Sequence, residues 1–275
     1  RLAKVEENFL SDEACERFFT MLSESDRPLI YAGGGVINAN ATKAMRRLAN
    51  EYGIPVTTTL MALGASDTTH LLALHMLGMH GVASANYAVE DCDFLIAVGA
   101  RFDDRITGLV DAFSPGSYKA HIDIDPSSIN KVIHVDLPII GDVGNVLGDM
   151  LKVWQSRGGK TNSAAVKKWW KQIEKWQSIE CLRYRQSDTI IKPQYALERL
   201  EALTKNHPDR YVCTEVGQHQ MWAAQYLGFE DPHRWMTSGG LGTMGYGLPA
   251  SVGVQVAHPD ALVINVAGEA SWLMN

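Results

Sequence analysis

The chain has 275 residues, room for one large domain or two ordinary ones, and its 20% charged and 46% hydrophobic residues argue against disorder. A formal charge of −6 with no basic face gives no reason to expect a nucleic-acid partner, and no apolar run reaches membrane-spanning length. Four widely separated cysteines, Cys15, Cys92, Cys181 and Cys213, argue against a disulfide framework or structural zinc and suit free thiols in a reducing cytoplasm.

The opening RLAKVEENFL has neither an initiator Met nor an apolar signal segment, and the last residues follow closely on a strand. Together they suggest an internal piece of a longer protein. From residue 28 to 150 strands and helices alternate. PLIYAGGGV is an apolar strand ending in glycines, and ATKAMRRLANEYG is an amphipathic helix stopped by Gly53. IPVTTTL, DFLIAVGA, KAHIDID and LPIIGDV supply four more strands, and NVLGDMLKVWQSRGG is a closing helix ended at Gly158 and Gly159. This rhythm predicts right-handed crossovers and a mostly parallel sheet, with ligands at the strand ends.

The rhythm stops at about Ser156. RGGKTNSA reads as a flexible linker, and AAVKKWWKQIEKWQSI as a charged helix with Trp169, Ile173 and Trp176 on one face, a pattern that fits packing against a neighbour rather than a ligand box. GGKT is not a phosphate loop, because Trp154 stands where that loop needs its first glycine. A helix at KPQYALERLEALTK, a strand at YVCTEVG, a glycine-rich loop leading into a small-residue helix at SGGLGTMGYGLPASVGVQVA, and a strand at ALVINVAGEA open a second α/β unit. Val263 to Ala267 does not alternate, so that strand is expected to be buried on both faces. The domain boundaries expected are 1–155, a linker with helix at 156–191, and 192–275.

Gly33, Gly34 and Gly35 lie between strand and helix, where backbone N–H groups can face a phosphate, but Asn38 occupies the third glycine position of a dinucleotide fingerprint. A tight turn and a nucleotide site both remain open there. Met76, Met79 and His80 read as core fillers or as part of a site. Arg101, Asp103, Asp104 and Arg105 crowd the end of a strand, either to bind a phosphate or carboxylate or to satisfy one another. Gln218 and His219 directly follow a strand. The glycines around Met244 precede a helix whose positive end suits a diphosphate, and Glu269 at the next strand end could hold a bridging magnesium. No G-x-S-x-G elbow, H-E-x-x-H or calcium loop is present.

TLMALG, LHMLGMHG, VGARFDDRITG, HIDIDPSSINK, TEVGQHQMWAAQ and RWMTSGGLGTMGYGLPAS, in that order, closely resemble the large subunits of the acetolactate synthase family of thiamine-diphosphate enzymes. The likeness covers nearly the whole chain. It implies a Rossmann-like, FAD-binding central domain followed by the opening of a thiamine-diphosphate-binding α/β domain. The positions matched to FAD are Gly33 to Gly35, Thr59 and Leu60, and Leu77, Gly78, Met79 and His80. Gly99, Ala100, Arg101, Phe102 and Asp103 follow, then Asp123 and Ile124, then Asp142 and Val143. Those matched to thiamine diphosphate are Gln218, His219, Gly239, Gly242, Thr243 and Met244, with Met244 as the wedge that bends the cofactor. Glu269 matches the first Mg2+ ligand, where the family usually has Asp, and Arg105 and Met79 match the pocket for the incoming 2-oxoacid.

The resemblance implies decarboxylation of pyruvate and transfer of its acetaldehyde unit to pyruvate or 2-oxobutyrate, the first common step towards branched-chain amino acids. It further implies a homodimer or homotetramer, a small regulatory subunit, and no synthase activity in this chain by itself. Two other readings are another thiamine-diphosphate carboligase or decarboxylase, such as one acting on glyoxylate, and a non-catalytic flavin-binding module.

Overall fold

The structure, a computed structural model, describes residues 10–157 and 163–275. The N-terminal segment 1–9 and the Gly158–Gly159 helix stop with most of the linker and GGKT lie outside the described residues. In chain order the first part comprises α1 (Asp12–Glu24), β1 (Pro28–Ala32), α2 (Gly34–Asn38), α3 (Thr42–Tyr52), β2 (Val56–Thr58), β3 (Ala73–Met76), α4 (Ala83–Asp91), β4 (Phe94–Val98), α5 (Asp104–Thr107), β5 (Tyr118–Asp123), β6 (Leu137–Ile140) and α6 (Val143–Arg157). The second comprises α7 (Ser163–Gln177), α8 (Pro193–Thr204), β7 (Arg210–Thr214), α9 (Gln218–Tyr226), β8 (Trp235–Met236), α10 (Gly247–Ala257), β9 (Leu262–Val266) and α11 (Glu269–Trp272).

Strands β1 to β6 form one parallel sheet in the order β3-β2-β1-β4-β5-β6, a doubly wound α/β arrangement whose topological switch lies between β1 and β4. Successive side chains on a strand point to opposite faces, and both faces here are covered. Ile30, Ile96 and Ile122 face Phe18 of α1, Leu48 of α3 and Leu147 of α6. Leu29, Tyr31 and Leu95 face Ala85 and Val89 of α4 and Trp169 and Ile173 of α7. The tryptophan face of α7 therefore packs on the first sheet, and Trp169 Nε1 also donates to the Pro28 carbonyl at 3.2 Å. Helix α3 ends as the sequence predicts, with Gly53 in the left-handed region at φ 67°. All four cysteines are free, and among the described residues no helix is long and apolar enough to cross a membrane.

Two expectations change. The first sheet has six strands rather than five. The extra strand β3 is only four residues long, carries an exposed His75 at φ 62° and pairs with β2 across a register shift, so it shows no alternation to read. The last strand, β9, is half-buried along its whole length rather than buried on both faces. Among the described residues it pairs with β7 alone, in the parallel sheet β8-β7-β9.

The two sheets are joined by a shared apolar cluster, in which Leu63 and Met76 meet Ala223, Leu227, Phe229 and Trp235, and by contacts to main-chain atoms. Arg46 on α3 donates to the carbonyls of Gly64 and Ala65, each at 2.9 Å, and to that of Glu230. Phe229 N–H donates to Thr68 Oγ1 at 3.0 Å, and Gln225 Nε2 donates to the His80 carbonyl at 2.7 Å. Gly64 lies so close to the Asp231 backbone that a Cβ there would fall 2.9 Å from Asp231 C.

Candidate functional site

The candidate residues of the first sheet form one row along its carboxyl edge, because each follows a strand and all six strands run the same way. In spatial order the row runs from Leu77–His80 through Thr59–Leu60, Gly33–Gly35, Gly99–Asp103 and Asp123–Ile124 to Asp142–Val143. At the switch point two loops interlock. Gly33 N–H donates to the Val98 carbonyl at 2.8 Å and Gly35 N–H to the Gly99 carbonyl at 3.0 Å. A Cβ on Gly35 would stand 2.7 Å from Gly99 Cα. The glycines here are thus needed first for loop-on-loop contact, and two of their N–H groups are already bonded. Next door, Thr59 Oγ1 is buried without a hydrogen-bond partner.

The charged run after β4 divides. Arg101 pairs with Asp103, whose carboxylate caps α5 by accepting from Arg105 N–H at 3.1 Å. Arg105 is mostly exposed, its guanidinium 4.0 Å from Asp104. Met79 N–H donates to the Arg105 carbonyl at 2.9 Å, so the two residues matched to the oxoacid pocket are brought together, both with exposed side chains. Met76, by contrast, is buried as a core filler, and His80 is exposed. Phe102 is buried against Tyr31, Phe113 and His121. Asp123 accepts from Asp125 N–H at 2.9 Å and Asp142 from Asn145 N–H at 3.0 Å, while Ile124 is exposed and Val143 buried.

Burial raises the Asp103 carboxyl, but the Arg105 N–H, hydrogen bonding within its turn and the charges of Arg101 and Arg105 outweigh this and hold it below the ordinary 3.8. A depressed folded value means a stability contribution that is present above about pH 3.8 and is lost as pH falls through the folded value. Asp103→Asn is therefore expected to flatten the fall of thermal midpoint with pH below 3.8; an unchanged slope would refute that role.

On the second sheet the carboxyl edge gathers Gln218 and His219 after β7, Gly239 to Met244 after β8, and Glu269 after β9. The His219 ring lies against Gly217 and Gly268, which places it beside Glu269, and its Nε2 is buried with no partner. Gly242 adopts φ 76°, and Thr243 N–H is held by Ser238 Oγ at 2.9 Å. Glu269 is exposed, and among the described residues no three His, Cys, Asp or Glu side chains lie close enough to share a metal. The positive end of α10, expected to face a diphosphate, is occupied instead. The fully buried Glu215 accepts from Gly245 N–H at 2.7 Å and from Leu248 N–H at 2.9 Å. The neighbouring Gly240–Met244 segment is exposed.

Met61, which no local pattern marks, connects the two edges. A Cβ on Gly34 would stand 3.1 Å from Met61 Cβ, and one on Gly239 would stand 3.2 Å from Met61 Cγ and 3.3 Å from Leu60 Cδ2. Glu215 and His121 also carry no local motif: Glu215 follows the strand RYVCT, and His121 alternates with Lys119 and Asp123 in β5, so neither stands out from its neighbours.

The chain belongs to the thiamine pyrophosphate enzyme family. Residues 15–150 match the family model described as "Thiamine pyrophosphate enzyme, central domain", and residues 215–275 match "Thiamine pyrophosphate enzyme, C-terminal TPP binding domain". Within that class it is similar to acetolactate synthase large subunits. It is 44% identical over 260 residues to the isozyme 3 large subunit of Escherichia coli K12, covering 94% of this chain and 45% of that protein. It is 46% identical over 264 residues to the large subunit of Parasynechococcus marenigrum, covering 96% of this chain and 42% of that one. The large subunit of Buchnera aphidicola subsp. Schizaphis graminum is 44% identical over 255 residues, 93% of this chain and 44% of its own. The chain thus spans less than half the length of these relatives.

Proposed function

We propose that the full-length protein is an acetolactate synthase acting in the cytoplasm. On this reading it forms 2-acetolactate or 2-aceto-2-hydroxybutyrate from pyruvate and a second 2-oxoacid, as a homodimer or homotetramer with a small regulatory subunit. Residues 1–155 and 192–275 are the FAD-binding and diphosphate-binding units, and 156–191 connects them. The observation that carries the proposal is the pair of candidate rows on two parallel sheets whose carboxyl edges meet at Met61.

The residues present fit the cofactors that this activity requires. The first row crosses six strands, a span of about 24 Å at the usual strand spacing, which suits an extended dinucleotide. The partnerless Thr59 hydroxyl within it is a polar atom for such a ligand to satisfy. Gly33 to Gly35 and Gly99 to Asp103 line the middle of the row, Leu77 to His80 with Leu60 one end, and Asp123, Ile124, Asp142 and Val143 the other. The flavin there is structural, without net redox change. The second edge offers a partnerless His219 Nε2 and the exposed Gly242–Met244 backbone to thiamine diphosphate, with Gln218 and Gly239 beside them. Magnesium is commonly held by one or two carboxylates plus phosphate oxygens, so a lone Glu269 suits it when a diphosphate supplies the rest.

Bound thiamine diphosphate supplies the electron sink for decarboxylation. The chain's own residues position the reactants. Met244 would supply the apolar side chain against which the bound cofactor rests. Arg105, with its exposed planar guanidinium, orients the carboxylate of the incoming oxoacid. Met79, tied to Arg105 through the backbone, walls the same pocket.

Full-length protein supplied with FAD, thiamine diphosphate, Mg2+ and pyruvate is expected to form acetolactate, and calorimetric titration should detect binding of both organic cofactors. Turnover of glyoxylate but not pyruvate would favour another carboligase. FAD binding without thiamine diphosphate binding would favour a flavin module.

A further inference from the structure

We infer that His121 is a positioning residue for the Gly99–Asp103 loop. Its imidazole ties the Ala100 carbonyl beside the Asp123 carboxylate, and so fixes the backbone that a flavin nucleotide meets at the middle of the first sheet. The inference rests on the reading that this edge holds FAD.

His121 is fully buried in β5 between Ala120 and Ile122, where an aliphatic residue would fill the space at no polar cost. Its Nε2 lies 2.7 Å from the Ala100 oxygen and 3.7 Å from Asp123 Oδ2. A carbonyl only accepts, so Nε2 carries the proton. Nδ1 is buried with no partner. An orphaned polar atom of this kind is uncommon in a folded protein and marks a side chain kept for what its other end does.

What the other end holds is the stretch of the loop between two strained residues, where Ala100 has His121 as its side-chain tie. Gly99 and Phe102 both adopt left-handed backbone, at φ 58° and φ 54°, and for a phenylalanine this conformation is strained. The Phe102 ring stands edge-on to the His121 ring at 5.0 Å, so one imidazole braces both the carbonyl at Ala100 and the side chain at Phe102. Ala100 and Asp123 follow adjacent strands, β4 and β5, which makes His121 the tie between two neighbouring positions of the candidate row.

The test uses the full-length protein. In His121→Leu without flavin, amide exchange in segment 99–103 should accelerate about tenfold or more, and FAD affinity by fluorescence titration should weaken about tenfold. His121→Gln, whose amide N–H can reach Ala100, should stay within about threefold of wild type in both measurements. Simple loss of core packing would lower the thermal midpoint of both variants without this donor-dependent rescue. If His121→Leu does not fold, His121→Asn, too short to reach Ala100, takes its place. Wild-type exchange rates in the Leu or Asn variant, or a Gln variant no better than it, overturn the positioning role. Failure of the wild-type protein to take FAD while the exchange pattern holds would instead overturn the flavin reading and leave the role in fixing the loop.

Discussion

Gly33→Ala is expected to lower the unfolding free energy by about 3 kcal/mol, among the largest effects open to any single methyl group in this chain. The added Cβ would stand 2.6 Å from Ala100 Cα, 2.6 Å from Gly99 C and closer still to the Gly99 oxygen, all backbone atoms that cannot swing aside. The loop cannot retreat either, because Gly33 N–H is bonded to Val98. Gly33 itself has an extended backbone, φ −104° and ψ 178°, which any residue can adopt, so the whole effect is steric. Gly148→Ala provides the contrast: it lies inside α6 with open space around its would-be Cβ. The helix should gain about 0.5–1 kcal/mol from it. Urea midpoints for the two variants in the same protein should move in opposite directions, and a Gly33→Ala midpoint at the wild-type value would mean that the interlocked loops do not exist in solution.

Glu215→Gln should cost about 2–4 kcal/mol, although it changes no more than one atom of the side chain. Both carboxylate oxygens accept backbone N–H groups at the start of α10, and charge-assisted bonds of this kind are stronger than neutral ones. An amide offers one acceptor; its NH2 would face an N–H, leaving a donor unpaired in a fully buried place. The helix start would also lose the negative charge that complements its dipole. Chemical unfolding together with faster proteolysis in segment 240–245 would report the loss. An unchanged midpoint and cleavage rate would show that the carboxylate does not hold the helix.

The sequence revealed elements whose pattern is local and failed where structure is decided by a neighbour. Strands β1 and β4 are five-residue apolar runs, buried along their length, and were readable because a parallel sheet covered on both faces demands that composition. Strand β8, two residues long, exists only because β7 is there to pair with it. Helix α1 precedes the first readable strand and became part of the core through Phe18 and Leu22. The strand-end rule put the candidates that follow the five readable strands on the carboxyl edge, since direction follows from the alternation of strands and helices alone; Leu77–His80 follow β3, which showed no pattern to read. Partners did not follow from that rule. That Glu215 would claim the first N–H groups of α10, or that Met61 would lie between Gly34 and Gly239, depends on contacts across 27 or more positions of chain, about which a short motif carries no information.

The joint between the two sheets has a consequence for how such a chain can diverge. Arg46 grips the carbonyls of residues 64, 65 and 230, Gly64 abuts the main chain at 231, and Thr68 meets the main chain at 229. Every amino acid supplies the same carbonyl, so substitutions at the exposed Glu230 and Asp231 leave those main-chain contacts unchanged, whereas the Phe229 side chain is buried against Trp235. Identity matters at Arg46, Gly64 and Thr68 on the first sheet's side and at Gln225, Phe229 and Trp235 on the second's. The tip at Glu230 and Asp231 is therefore free to exchange side chains, while the residues that keep the two carboxyl edges at their separation are not.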